Sequence, residues 1–145
     1  MTWGFDPVIY ELNTAAWLRD VGVRAGRDVT LADVPADEWD RVSPPGVDAV
    51  WLMGVWRRSP AGLAIAQRNP GLVSSFRDTL PDLHADDVIG SPYCIAGYQL
   101  EPRFGEPDAL AIARDELARR GLGLILDYVP NHVAPDHPWT SEHPE

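Results

Sequence analysis

The chain has little cysteine, little positive charge and no long apolar run. Cys94 is the only cysteine among 145 residues, so no intrachain disulfide can form, which fits a reducing compartment. Twelve basic residues face twenty-two acidic ones, for a net charge of −10, and no basic stripe is visible. Phosphate backbones and anionic membrane surfaces are bound by clustered Lys and Arg, so this balance argues against both as partners. No segment approaches the roughly 20 apolar residues of a membrane-spanning helix. Met1–Pro7 carries neither a basic n-region nor an apolar h-region, so no secretory leader is read and a cytoplasmic location is expected. There is no solenoid-type repeat and no low-complexity tract. What is present is ordinary globular material, 45% hydrophobic and 23% charged, enough for a core. Six tryptophans and four tyrosines are many for this length. Most such rings serve a core, but aromatic faces also suit a neutral sugar ring.

The hydrophobic pattern alternates strands with helices. Val8–Asn13 reads as a first strand, rich in β-formers. Thr14–Asp20 reads as a short helical stretch, with Gly22 and Gly26 as punctuation, and Pro35–Val42 has helix character with Asp37 and Glu38 in its first turn. Val47–Met53 is a second strand ending at Gly54. A long connection, 55–105, follows, with short helices expected at Pro60–Gln67 and Gly71–Leu80. Excess loop of that length is usually functional. Pro107–Arg120 has the clearest helical spacing, through Leu110, Ala113 and Leu117, with Gly121 suited to the position just past the helix end. The third strand is expected at 123–128. Strand, helix, strand, helix, strand implies a parallel α/β sheet built from right-handed crossovers.

The third strand carries the chemistry. Leu124-Ile-Leu has no polar alternation, as in a strand buried on both faces, and it runs into Asp127-Tyr-Val-Pro-Asn-His132. A strand that breaks near Pro130 delivers Asp127, Asn131 and His132 to one rim of a sheet, where α/β folds place their chemistry. His137 and His143 lie beside prolines and read as solvated loop residues. His84-Ala-Asp-Asp87 has metal-binding residue types, but no second cluster supports a metal there.

Three blocks together resemble the alpha-amylase family of glycoside hydrolases (glycoside hydrolase family 13). They are the run from Gly121 to His132, Ser91-Pro-Tyr-Cys-Ile-Ala-Gly-Tyr-Gln-Leu-Glu-Pro-Arg-Phe-Gly105, and Gly46-Val-Asp-Ala-Val-Trp-Leu-Met53. The resemblance spans Val8 to His137 and implies the first three βα units of a TIM-type (β/α)8 barrel. Such barrels run to about 250 residues, so residues 1–145 would be the N-terminal part of one, incomplete in this chain. It implies that Tyr93 stacks on the sugar at the cleavage subsite and that His132 hydrogen-bonds that sugar's hydroxyls. Asp127 would be a supporting carboxylate rather than the nucleophile. Asn131 matches a position that binds calcium in many members, although calcium is not universal and no other cofactor is implied. The pattern also has departures. Gly54 stands where a proline is common, Gly97 where an aspartate usually precedes the tyrosine, and Glu101 where aspartate is frequent.

The implied activity is retaining hydrolysis or transfer at α-glucosidic bonds of an α-glucan, oligosaccharide or α-glucoside. Retaining enzymes use two carboxyl groups about 5–5.5 Å apart. In this family they come from later strands, so no catalytic acid is expected before Glu145 and the segment is expected to be inactive alone. The alternatives are a non-catalytic carbohydrate-binding or scaffold relative of the same barrel, and an unrelated small α/β module. The specific glucoside, the oligomeric state and any role of calcium are open at this point.

Overall fold

The computed structural model describes residues 5–143. The first four residues of the Met1–Pro7 stretch, read above as carrying no leader, and the last two residues of the tail lie outside that range. In chain order the elements are β1 (Ile9–Asn13), α1 (Thr14–Ala25), α2 (Ala36–Arg41), β2 (Ala49–Met53), β3 (Trp56–Arg58), α3 (Pro60–Arg68), α4 (Pro70–Thr79), β4 (Ile95–Leu100), α5 (Ala109–Arg119), β5 (Gly123–Leu126) and α6 (Trp139–Glu142). The described residues fall into two compact units, 5–55 with 99–128, and 56–98 with 129–143.

The first unit is built on a three-stranded sheet of order β1-β2-β5. Both pairings are parallel, with Ile9 opposite Ala49 and Asn13 opposite Met53, then Ala49 opposite Gly123 and Leu52 opposite Leu126. The expected parallel α/β sheet is therefore present, and among the described residues it is open rather than closed into a barrel. The strands are shorter than expected because pairing starts at Ile9 and Ala49 and stops at Leu126.

Helix α1 corrects the sequence reading. It runs through Gly22 and ends only at Gly26, which takes φ 66° and donates its N–H to the Gly22 carbonyl. Gly22 is there for space: a Cβ would meet the Arg27 carbonyl oxygen at 3.0 Å. At the other end the Asn13 side chain accepts from Ala16 N at 3.2 Å, the usual satisfaction of an orphan N–H. Helix α5 begins at Ala109, two residues inside the expected Pro107, after a turn in which Ala109 N donates to the Glu106 carbonyl.

The core of this unit joins Val50 and Leu52 of β2, Val21 of α1, Trp39 of α2 and Ala109, Ala113 and Leu117 of α5, all essentially buried. Trp17 and Trp39 meet edge to face, with ring centroids 4.8 Å apart. Polar ties close the edges. Arg24 grips buried Glu38 through two bonds of 2.7 Å. Arg120 joins α5 to α2 by bonding Asp40 at 2.7 Å and the Ala36 carbonyl at 2.9 Å. The Arg24 guanidinium, by hydrogen bond first and charge second, holds the Glu38 carboxyl below the usual carboxylate range.

The second unit fills most of the long connection, for which the sequence predicts loop with two helices. Both helices are present, at Pro60–Arg68 and Pro70–Thr79. Strands β3 and β4 are additional and pair as a two-stranded sheet. Asn69 serves both helices: its N–H closes α3 on the Ile65 carbonyl, and its side chain caps α4 by accepting from Gly71 N and Leu72 N.

Candidate functional site

Asp127 belongs to the first unit, one residue past the end of β5. Its side chain is buried, with 8% of the residue exposed. One carboxylate oxygen accepts from the Trp51 indole Nε1 at 3.0 Å and the other from the Gly54 backbone N–H at 2.5 Å. A buried carboxylate is costly unless it is hydrogen-bonded, and here each oxygen has a donor. Gly54 adopts φ 78°. Proline, common at this position in the resembled family, has no N–H and cannot take a positive φ. The departure noted in the sequence is thus part of the support for Asp127.

Tyr93 and His132 are brought together within the second unit. The His132 Nε2 lies 2.9 Å from the Tyr93 carbonyl oxygen. A carbonyl only accepts, so Nε2 carries the proton and, in the neutral ring, Nδ1 is left as an acceptor for a hydroxyl. The Tyr93 residue is 40% exposed, leaving ring surface for stacking. His132 and Asn131 are also exposed.

The segment that carries His132 has no helix or strand between Asp127 and Pro138. Side chains hold it instead. Val129 N donates to the Tyr98 hydroxyl at 2.9 Å, and the Tyr98 ring packs edge to face on Trp56 at 5.4 Å. Four residues past His132, the Asp136 carboxylate accepts from the Ser59 hydroxyl at 2.6 Å and from Ala61 N at 3.0 Å. Ser59 is buried and also accepts from Gly62 N at 2.8 Å, as the N-cap of α3. Its own N–H donates to the Cys94 carbonyl at 2.8 Å, next to Tyr93. Gly62 permits that approach, since a Cβ there would stand 2.5 Å from Cys94 Sγ. The Ser59 hydroxyl, followed by the Ala61 N–H, draws the Asp136 carboxyl below its ordinary range.

Trp51, Ser59 and Asp136 were not singled out in the sequence. Ser59 had a local signal, Ser before Pro at a helix start. Trp51 and Asp136 act through partners 76 and 77 residues away and leave no local trace. The His84–Asp87 tract forms a turn in which Asp87 accepts from His84 N at 2.8 Å. A calcium ion takes about six to eight oxygens. Among the described residues no group of three or more His, Cys, Asp or Glu could hold a metal. Asn131, the position matched to calcium binding by the resemblance, is exposed.

The first unit thus carries a parallel α/β sheet with a buried, doubly bonded Asp at a strand end, and the second carries the tyrosine–histidine pair. The catalytic-domain model of the alpha-amylase family matches residues 39–145, and the chain belongs to that family. It is 29% identical over 150 residues to a 1,4-alpha-glucan branching enzyme of Salinibacter ruber, covering 92% of this chain and 21% of that one. It is 31% identical over 140 residues to an alpha-1,4-glucan:maltose-1-phosphate maltosyltransferase of Rhodospirillum rubrum, covering 90% and 18%. The chain therefore spans about a fifth of the length of the curated relatives it matches. The crystal structure of an alpha-amylase from Lactobacillus plantarum aligns with TM-score 0.60 at 25% identity, over 95% of this chain and 26% of that one.

Proposed function

We propose that this chain supplies part of the sugar-binding surface of an α-glucan-active enzyme that cleaves or transfers α-glucosidic bonds with retention. The observation that carries this reading is the Tyr93–His132 pair, joined at 2.9 Å and open to solvent. The tyrosine face offers apolar area to a pyranose ring, and the imidazole Nδ1 accepts from a ring hydroxyl. Family membership and the names of the relatives support an α-1,4-glucan as the substrate class. Asp127, fixed by Trp51 and Gly54, is proposed as an ordered acceptor in the first unit rather than a nucleophile. No residue here matches the family's nucleophile or acid/base, so the isolated 145 residues are proposed to be without turnover.

The test is binding without catalysis. Maltotriose titrated into the chain should perturb Tyr93 and His132 resonances, and Tyr93→Ala should abolish the response. Release of glucose from an α-glucoside by the purified chain would overturn the claim of inactivity. Absence of any maltotriose response would overturn the sugar-binding claim.

A further inference from the structure

We propose that Asp136 is a positioning residue for the Tyr93–His132 pair, locking the segment from Val129 to Asp136 onto the start of α3. The sugar-binding consequence rests on the function proposed above; the positioning itself does not.

A segment without helix or strand keeps its conformational freedom unless side chains remove it. Here Val129 is tied to Tyr98, and His132 to the Tyr93 carbonyl. The far end is fixed by Asp136, with help from buried Ala134, whose carbonyl accepts from His137 N at 3.0 Å. The Asp136 ties are the charged ones, at 2.6 and 3.0 Å, and they sit at the N-terminus of α3, where negative charge is favoured. They reach the pair by two routes. Along the chain, Asp136 fixes the return of the backbone just after His132. Across the unit, it fixes Ser59, whose N–H holds the Cys94 carbonyl beside Tyr93. A single neutral bond to a carbonyl would leave the imidazole free to rotate away; the two routes hold donor and acceptor in place together.

The test uses the 145-residue chain labelled with ¹⁵N. Asp136→Ala should shift the His132 Nε2 resonance toward that of an imidazole exchanging between tautomers and broaden the Tyr93 amide. Asp136→Asn keeps one acceptor oxygen and should restore part of the wild-type signal, and it carries the test if the alanine variant does not fold. Asn69→Ala is the control. It removes two backbone caps of the same kind from α4, which do not lead to His132, and should leave that ring unchanged. An unmoved His132 in the Asp136 variants, or an equal shift in Asn69→Ala, would overturn the proposal. In a parallel titration, Asp136→Ala should weaken maltotriose binding by roughly tenfold, the size expected when a contact group must be ordered on binding. If the wild type fails to bind maltotriose while Asp136→Ala still shifts His132, the sugar reading fails and the positioning role stands.

Discussion

The two units are held together by different physics. In the first, Val21, Leu31, Trp39, Val50, Leu52, Val55 and Leu117 are all at most 1% exposed, and the sheet gives them a common floor. In the second, α3 and α4 bury none of their residues, and Ser59, Ile95 and Ala134 are the buried ones among the described residues. Its order comes from caps and cross-links through Ser59, Asn69, Tyr98 and Asp136. Apolar burial is non-directional and tolerates similar shapes, whereas a hydrogen-bonded link fails when one partner goes. The exposed tyrosine–histidine pair lies in the thinly packed unit, where local opening costs least and binding residues are commonly found.

The comparison can be broken most forcefully in the first core. Leu117→Ala should cost about 2–5 kcal/mol by urea unfolding, because a fully buried leucine is lost from α5. A smaller value would mean that the first unit is as loosely packed as the second. Next comes Gly54. Alanine keeps the N–H to Asp127 but takes on the strain of φ 78°, about 1–2 kcal/mol. Proline loses both the N–H and the conformation, so it should be worse than alanine by a further ~1.5–3 kcal/mol for the charged hydrogen bond. Equal costs for the two variants would remove the amide from the account of Asp127.

Acid comes third and sharpens the contrast by unit. Glu38 and Asp136 both have depressed carboxyl pKa values, the first from Arg24 and the second from the Ser59 hydroxyl. A group whose folded pKa lies below its unfolded value binds fewer protons when folded. The stability each contributes is therefore fully present above the usual carboxylate range and is lost as pH falls through the depressed value. Hydrogen exchange across that range should show protection falling in the first unit in a way that Glu38→Gln flattens. In the second unit, Asp136→Asn should flatten the corresponding fall. A pH response insensitive to both variants would reassign it elsewhere. The smallest effect belongs to Ile65→Ala on the open face of α3, which should stay within about 0.5 kcal/mol.

What the sequence made legible follows the same divide. The parallel strands and α5 were readable because unbroken apolar runs and helical spacing are local signals. Gly22 carries the local signal of a breaker, yet it stands inside α1 and gives room for the Arg27 carbonyl. Strands β3 and β4 were hidden: Trp56-Arg-Arg is short and charged, and Ile95–Leu100 contains Gly97. The proximity of Tyr93 and His132 was expected from the family resemblance, since residues 39 apart leave no periodic trace. The ties that hold them, through Ser59 and Asp136, depend on how side chains meet after folding.

Gly54 has a consequence at the level of the gene. Every glycine codon differs from every proline codon at both the first and the second base, so a single-base change cannot place a proline at position 54. The stepwise routes pass through alanine or arginine, and each places a side chain on a backbone at φ 78° beside a buried carboxylate. A proline at position 54 therefore lies two base changes away, with a strained residue at the step between.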